Sequence, residues 1–162
     1  MLDPTVKKML NDQITAEFYS AYLYLDFSNY YKSEAMNGFS NWYYVQAQEE
    51  MEHAFKILHY LQMNDEPVTL NAIAKPDKPC TKLSDPLEYG LEHEKYVSSL
   101  INSIYEAAQK VNDYRTMEFL DWFVKEQVEE EDTASSNLKK FRRYGSDPKA
   151  LYDLDQEMGG RK

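Results

Sequence analysis

The chain has 162 residues and a formal net charge of −10, from 28 acidic and 18 basic side chains. This length predicts a single domain, residues 1–162, which can bury a hydrophobic core without disulfide or metal staples. The acidic balance argues against a nucleic acid partner, which needs a basic surface, and no uninterrupted apolar run is long enough for a transmembrane helix. The lone Cys80, a spare loop thiol, excludes an internal disulfide and is typical of a reducing compartment. We therefore expect a soluble, non-exported, cytoplasmic protein without a membrane partner.

Apolar residues spaced three and four apart predict five helices and no strands. We label them α1 to α5 and expect them at about 4–31, 35–64, 86–111, 113–144 and 148–158. Prolines in the stretch 65–84 exclude regular helix there, so this stretch predicts a crossover that returns along the bundle before α3. The expected fold class is all-α, a four-helix bundle with a long crossover loop and a short C-terminal fifth helix. Residues 159–162 are expected to be a frayed tail.

Three Asp-Pro steps mark predicted helix starts at Asp3-Pro4, Asp85-Pro86 and Asp147-Pro148. An aspartate before a helix can accept hydrogen bonds from the first free N–H groups, and proline suits the first helical position because its missing N–H costs no bond there. We therefore expect each of these aspartates to cap its own helix.

A constellation of ligand-type side chains occurs twice in the chain, 77 residues apart. The first copy is Glu17, Glu50 and His53, and the second is Glu94, Gln127 and Glu130. In each copy the first two positions are 33 residues apart, and their midpoint lies at or just before the predicted turn between two helices. Residues equidistant from the turn of an antiparallel hairpin lie side by side, so each pair should face across its own hairpin. A pseudo-twofold relation between the hairpins would bring all six side chains to one level of the bundle.

These six side chains are suited to binding a pair of divalent metal ions. Residues three apart share a helix face, so Glu50 and His53 can contact one ion together, as can Gln127 and Glu130. One Glu from each of two helices, with Glu-x-x-His from each of the other two, is the known ligand pattern of dimetal four-helix bundles. The chain matches that pattern except in α4. Four carboxylates would balance two divalent ions, and oxygen ligands with one imidazole favour Fe(II) or Mn(II), with zinc as a competing occupant.

At these residues the sequence resembles the bacterial non-haem ferritins, and the resemblance covers nearly the whole chain. It is carried by Met1-Leu2-Asp3-Pro4, by Ala47-Gln48-Glu49-Glu50-Met51-Glu52-His53-Ala54 and by Glu126-Gln127-Val128-Glu129-Glu130-Glu131. The resemblance implies a ferritin-like bundle that assembles into a hollow shell of twenty-four subunits with octahedral symmetry. It also implies a ferroxidase that oxidises Fe(II) with oxygen or peroxide and stores the ferric mineral inside the shell.

The resemblance further implies a role for each site residue. One iron would be held by Glu17, Glu50 and His53 with Gln127 nearby, and the second by Glu94 and Glu130, with Glu50 bridging the two. A third iron site would use Glu49, Glu126 and Glu129 and share Glu130, whereas the alternative is an acidic face that only contacts solvent. Tyr24 would hydrogen-bond near the centre and take part in electron transfer, or it would have a packing role. The same two alternatives apply to Trp122.

Two other functions remain open from the sequence. The first is a haem-containing, bacterioferritin-like storage protein, because Met51 falls where bacterioferritins place their haem-ligating methionine. Gln127 and Glu130 argue against it, since bacterioferritins carry Glu-x-x-His at that place in α4. The second is a non-catalytic helical assembly whose acids only contact solvent. Two further sets of residues each have two possible roles. Glu118 and Asp121 would line a threefold iron entry channel, or they would only contact solvent at the start of α4. Leu151, Leu154 and Met158 would line a fourfold axis, or they would dock on their own bundle.

Overall fold

The computed structural model describes all 162 residues and contains five helices and no strands. The helices are α1 (Pro4–Ser33), α2 (Asn37–Met63), α3 (Asp85–Lys110), α4 (Tyr114–Tyr144) and α5 (Pro148–Met158). Helices α1 and α2 form one hairpin and α3 and α4 a second, α1 also packs against α3, and α5 packs against α2 and α4. The expected all-α bundle with a long crossover and a short fifth helix is confirmed. None of the five combines the length and the apolar character that a membrane-spanning helix needs.

Three helices are each followed, two residues beyond their last residue, by a left-handed residue that is not glycine. Ala35, Asp65 and Asn112 have φ values of 59°, 57° and 55°. After α1 the N–H of Ala35 donates to the carbonyl of Lys32 and that of Met36 donates to the carbonyl of Tyr31, which is a Schellman motif. α2 therefore begins at Asn37, two residues after the expected start at about residue 35, because the left-handed backbone of Ala35 turns the chain after α1.

Two of the three expected aspartate caps are present. The Asp3 carboxylate accepts the N–H groups of Thr5 and Val6, and the Asp147 carboxylate accepts that of Ala150. Asp85 was expected to cap α3 and does not, since it is already the first residue of that helix.

The carboxylate of Asp85 instead points back to the end of the crossover. It accepts the backbone N–H groups of Thr81 and Lys82 at 2.8 and 2.9 Å. Ser84 occupies the capping position of α3 and makes no side-chain capping bond. The Asp85 carboxylate therefore binds N–H groups that precede α3 and not those of its first turn. These two hydrogen bonds fix the turn that leads into α3.

A polar layer divides the apolar core of the bundle in two. One buried cluster includes Leu10, Ile57 and Ile101, and the other includes Phe27 and Phe39. In α1 the first cluster ends at residue 14 and the second begins at residue 23. Seven buried polar side chains, contributed by all four long helices, lie in the interval between the clusters: Glu17, Ser20, Glu50, His53, Glu94, Gln127 and Glu130.

The crossover is anchored to α1 along its course. The Asn11 side chain makes two hydrogen bonds with the backbone of Thr69, at 2.8 and 2.9 Å, and the Tyr31 hydroxyl donates to the carbonyl of Leu83 at 2.6 Å. Cys80 is half-buried against the second core cluster, and burial raises the pKa of its thiol to about 11. Cys80 therefore stays protonated at neutral pH, as expected of an unreactive loop thiol.

The fifth helix docks on its own bundle. Leu154 and Met158 are buried in the second core cluster, and Leu151 packs against it. Within one subunit, these three side chains therefore dock on their own bundle, which is one of the two roles considered from the sequence.

Close backbone contact accompanies this docking. A Cβ on Gly38 would lie 1.6 Å from the carbonyl oxygen of Asp155, so only glycine permits this approach of α2 and α5. The Asp155 carboxylate accepts the N–H of Phe39 at 2.9 Å. The expectation of a frayed C-terminus is wrong at Arg161, whose carbonyl accepts from Asn41 at 2.9 Å and whose guanidinium is also bound. Hydrogen bonds to polar side chains of α2 thus hold the C-terminal tail in place, although the tail has no apolar residues with which to pack.

Candidate metal centre

The structure brings the six repeated side chains together at one level of the bundle. Each comes from the helix that the sequence predicted, and each is buried, with exposed fractions between 1% and 8%: Glu17, Glu50, His53, Glu94, Gln127 and Glu130. Four carboxyl groups and one imidazole are therefore removed from solvent within a single layer. Such a layer costs free energy unless its charges find partners.

Two groups of potential ligands share one carboxylate. Glu17, Glu50 and His53 offer ligand atoms that all lie within 4.8 Å of one another. Glu50, Glu94 and Glu130 do the same. Glu50 belongs to both groups, so this one carboxylate could contact two neighbouring ions.

In the first group one buried carboxylate oxygen lacks a hydrogen-bond partner. His53 Nδ1 lies 3.1 Å from Glu50 Oε2 and 4.0 Å from Glu17 Oε2. Glu17 Oε2 is fully buried and has no hydrogen-bond partner. A buried carboxylate oxygen without a donor is rare and costly in proteins. A bound cation would supply the missing partner, so the residues present fit a metal ion.

A set of amides and hydroxyls surrounds the carboxylates. Gln13 donates to Glu17 Oε1 at 3.1 Å. Gln46 donates to Glu50 Oε1 at 3.0 Å and to Glu130 Oε2 at 2.9 Å. These bonds engage one oxygen of each carboxylate. Of the second oxygens, that of Glu17 has no hydrogen-bond partner, and that of Glu50 lies 3.1 Å from His53 Nδ1.

Glu94 is held by two of the predicted residues. Tyr24 donates its hydroxyl hydrogen to Glu94 Oε1. Gln127 Nε2 donates to Glu94 Oε2 at 3.1 Å and lies at the same distance from Ser98 Oγ. The predicted hydrogen bond of Tyr24 near the centre is therefore present. The Gln127 amide faces the centre with its NH2 group, which donates hydrogen bonds and cannot bind a cation. In this orientation Gln127 positions Glu94 and is not itself a ligand.

Three residues that contact the site were not predicted from the sequence: Gln13, Gln46 and Ser98. The first two stand four residues before Glu17 and Glu50, so each is a Gln-x-x-x-Glu pair on one helix face. That spacing was a readable signal once the two glutamates had been identified. Ser98 had no comparable signal, because its position depends on the packing of α3 against α4.

Burial keeps protons on the carboxyl groups of the metal-free centre. It is the largest cause that raises the pKa of Glu17, Glu50, Glu94 and Glu130. The charges of Glu94 and Glu130 raise the pKa of Glu50 further. The pKa of Glu130 reaches about 8, first through burial and then through the charge of Glu94. Cations that bind here must therefore displace protons.

The residues of the predicted third site are less closely grouped. Glu126 is half-buried, lies 4.0 Å from His53 Nε2 and forms a third ligand group with His53 and Glu130. Glu49 pairs with Arg161 at 2.7 Å, and Glu129 is exposed. Neither Glu49 nor Glu129 belongs to any of the three ligand groups.

The remaining candidates lie at the edge of the centre or outside it. The Trp122 ring packs edge-on against His53 with centroids 5.4 Å apart, and the Lys56 ammonium lies 3.6 Å from its centroid. Met51 is 38% exposed on α2, and Glu118 and Asp121 are exposed on α4. Only Trp122 of these touches the site.

Comparison with known proteins agrees with this geometry. The model of the ferritin-like domain family matches residues 7–144. The chain is 37% identical to a probable bacterial non-heme ferritin-like protein of Haemophilus influenzae, over 98% of this chain and 96% of that protein. It is 34% identical to the bacterial non-heme ferritin of Staphylococcus haemolyticus, over 99% and 97% of the two chains.

Solved structures give the same result. The open pore ferritin of Archaeoglobus fulgidus superposes with a TM-score of 0.98 and 39% identity, over the whole of both chains. A form of the same ferritin engineered to be closed gives a TM-score of 0.97, over 100% of this chain and 99% of that one. Family model, relatives and structures thus coincide with a buried centre of four carboxylates and a histidine, and the chain belongs to the ferritin family, where it resembles the bacterial non-haem branch.

Proposed function

We propose that this protein stores and detoxifies iron, and that it oxidises Fe(II) to Fe(III) at the buried centre before the iron enters a mineral. The observation that carries the proposal is Glu50, which belongs to two ligand groups at once within a layer of four buried carboxyl groups. A single structural ion would need only one of these sets of three ligands. Full-length similarity to bacterial non-heme ferritins supports iron as the metal.

In this proposal Glu17, Glu50 and His53 bind the first Fe(II), and Glu50, Glu94 and Glu130 bind the second. Two divalent ions would neutralise four carboxylates, which makes the occupied centre close to neutral. Protons held by the metal-free carboxyl groups leave as the ions enter. The gain of charge balance in a low-dielectric interior then favours binding.

The oxidation itself needs two electrons for each molecule of oxygen reduced to hydrogen peroxide. Two Fe(II) ions supply one electron each, and the two protons that complete hydrogen peroxide come from the site or from solvent. The protein holds the ions at the required spacing and balances their charge, so it needs no nucleophile of its own. Tyr24, whose hydroxyl donates a hydrogen bond to Glu94 Oε1, is proposed to hold that ligand in position next to the two ions.

Exit of the ferric product is proposed to run toward Glu126. The neutral Gln127 gives the second ion fewer negative ligands than a carboxylate at that position would. Glu49, Glu126 and Glu129, with Glu130 shared, would form the third iron site on this route. The half-buried position of Glu126 between His53 and the exposed acids supports the direction of the path.

The proposed assembly is a hollow homo-oligomer of twenty-four subunits in the cytoplasm. The ferritin structures that superpose on the whole chain support an oligomer of this kind. Glu118 and Asp121 are proposed to line the iron entry route, since both are exposed on α4. The haem-containing alternative is not favoured, because the relatives are named as non-heme ferritins and α4 lacks the second Glu-x-x-His.

The proposal is tested by stopped-flow oxidation of Fe(II) on chelator-treated protein under air. Wild type should show a fast phase that saturates at two or three irons per subunit. Glu17→Ala and His53→Ala should each slow that phase more than about tenfold, because each removes a ligand. His59→Ala is the matched control, since His59 is an exposed histidine on the same helix. Equal rates in wild type, His53→Ala and buffer would refute a ferroxidase centre.

A further inference from the structure

The side chain of Arg161 reaches from the C-terminal tail to α2. One guanidinium nitrogen donates to the Trp42 carbonyl at 3.2 Å and to Gln46 Oε1 at 2.9 Å. The other donates to Glu49 Oε2 at 2.7 Å. The guanidinium carbon also lies 4.1 Å from the centroid of the Trp42 ring. The guanidinium therefore has partners on both terminal nitrogens and on its face, which fixes its orientation.

Gln46 connects this guanidinium to the candidate metal centre. Its carbonyl oxygen accepts from Arg161, while its NH2 group donates to Glu50 and to Glu130. An amide has one accepting and one donating end, so Arg161 decides which end faces the carboxylates. With the amide reversed, a carbonyl oxygen would face two carboxylate oxygens, and two donors would face each other at Arg161.

We propose that Arg161 is a positioning residue for the metal centre: it holds the Gln46 amide so that Glu50 and Glu130 are oriented to bind two metal ions. The inference rests on the proposed function, because it assigns Glu50 and Glu130 as ligands. The anchor for the tail is Asn41, whose amide donates to the Arg161 carbonyl at 2.9 Å. The tail thus acts on the centre from outside the four-helix bundle.

The test measures Zn(II) binding to the metal-free, full-length protein by isothermal titration calorimetry. Zn(II) is not oxidised, so the readout is independent of iron chemistry. Gln46→Leu should weaken binding about 10–100-fold, which is the usual cost of losing a group that orients a ligand. Arg161→Ala should weaken it about three- to tenfold, because Gln46 can then reverse. Arg161→Lys should fall between Arg161→Ala and wild type.

The decisive comparison is the double variant. If Arg161 acts through Gln46, then Arg161→Ala costs nothing further in the Gln46→Leu background. Asn41→Ala should reproduce part of the Arg161→Ala effect by freeing the tail, whereas Lys162→Ala, an exposed neighbour, should bind like wild type. Melting temperatures of all variants identify any that lose the fold.

Each outcome bears on a different claim. Wild-type affinity in Arg161→Ala, or losses that simply add in the double variant, would overturn the positioning role while leaving the metal centre intact. A wild-type protein that binds no Zn(II) would overturn the proposed metal centre itself, and the inference with it.

Discussion

Replacing Glu130 by glutamine should stabilise the metal-free protein near neutral pH. Glutamine has almost the same shape as the carboxyl group and can still accept the hydrogen bond from Gln46. It carries no charge, so the buried layer no longer has to keep a proton at this position. A residue that serves folding would lose stability on substitution, whereas a residue kept for binding cations should gain it.

The magnitude follows from the two pKa values of Glu130. The folded value is about 8 and the ordinary value is 4.5. At pH 7 the carboxyl group is thus protonated in the folded chain and ionised in the unfolded chain, which disfavours folding by on the order of 3 kcal/mol. This penalty is absent below the unfolded pKa and grows as the pH rises toward the folded pKa. Glu130→Gln should remove most of it at pH 7 and almost none at pH 4.

The assay is thermal unfolding of chelator-treated protein at fixed subunit concentration, at pH 4 and pH 7. We expect a rise in Tm of several degrees at pH 7 only, since about 2–4 °C corresponds to 1 kcal/mol in a chain of this size. Asp132→Asn, an exposed acid on the same helix, is the control and should change Tm little. A lower Tm for Glu130→Gln at pH 7, or an equal shift at both pH values, would show that the carboxyl group of Glu130 does not destabilise the folded protein in this way.

Three further substitutions test separate parts of the molecule. Tyr24→Phe removes a donor from Glu94, so Fe(II) oxidation in stopped flow should slow about tenfold while the number of binding sites stays the same; an unchanged rate would contradict this. Gly38→Ala should lower stability by about 3 kcal/mol or more through its clash with α5, whereas Gly90→Ala, whose Cβ meets only ordinary contacts, should not. Ala35→Gly should raise the free energy of unfolding by up to about 1 kcal/mol, and Tm by about 2–4 °C, because glycine adopts the left-handed turn without strain; a lower Tm would show that this strain is absent.

Much of the fold and the juxtaposition of the site residues could be predicted from sequence, for a geometric reason. Two ligand pairs with equal spacing, each centred on a turn, leave almost no freedom in an antiparallel bundle. Glu17 and Glu50 had to meet across the first hairpin, and Glu94 and Gln127 across the second. These four side chains are all buried in one layer because they lie at the level where neither apolar cluster fills the interior of the bundle.

The errors occurred where local patterns compete with tertiary contacts. Asp85 looks like a helix cap, but two upstream N–H groups are closer partners for its carboxylate. The expected start of α2 lay at about residue 35, although Ala35 adopts the left-handed backbone of the turn before that helix. The bound state of Arg161 could not be predicted, since its partners lie more than 100 residues earlier on α2.

Anomalous X-ray diffraction at the iron edge, on crystals soaked with Fe(II) without oxygen, would show directly where iron binds. We predict two iron peaks per subunit, one between Glu17, Glu50 and His53 and the other between Glu50, Glu94 and Glu130. Iron bound only to exposed acids such as Glu129, with no peak in the buried layer, would contradict it.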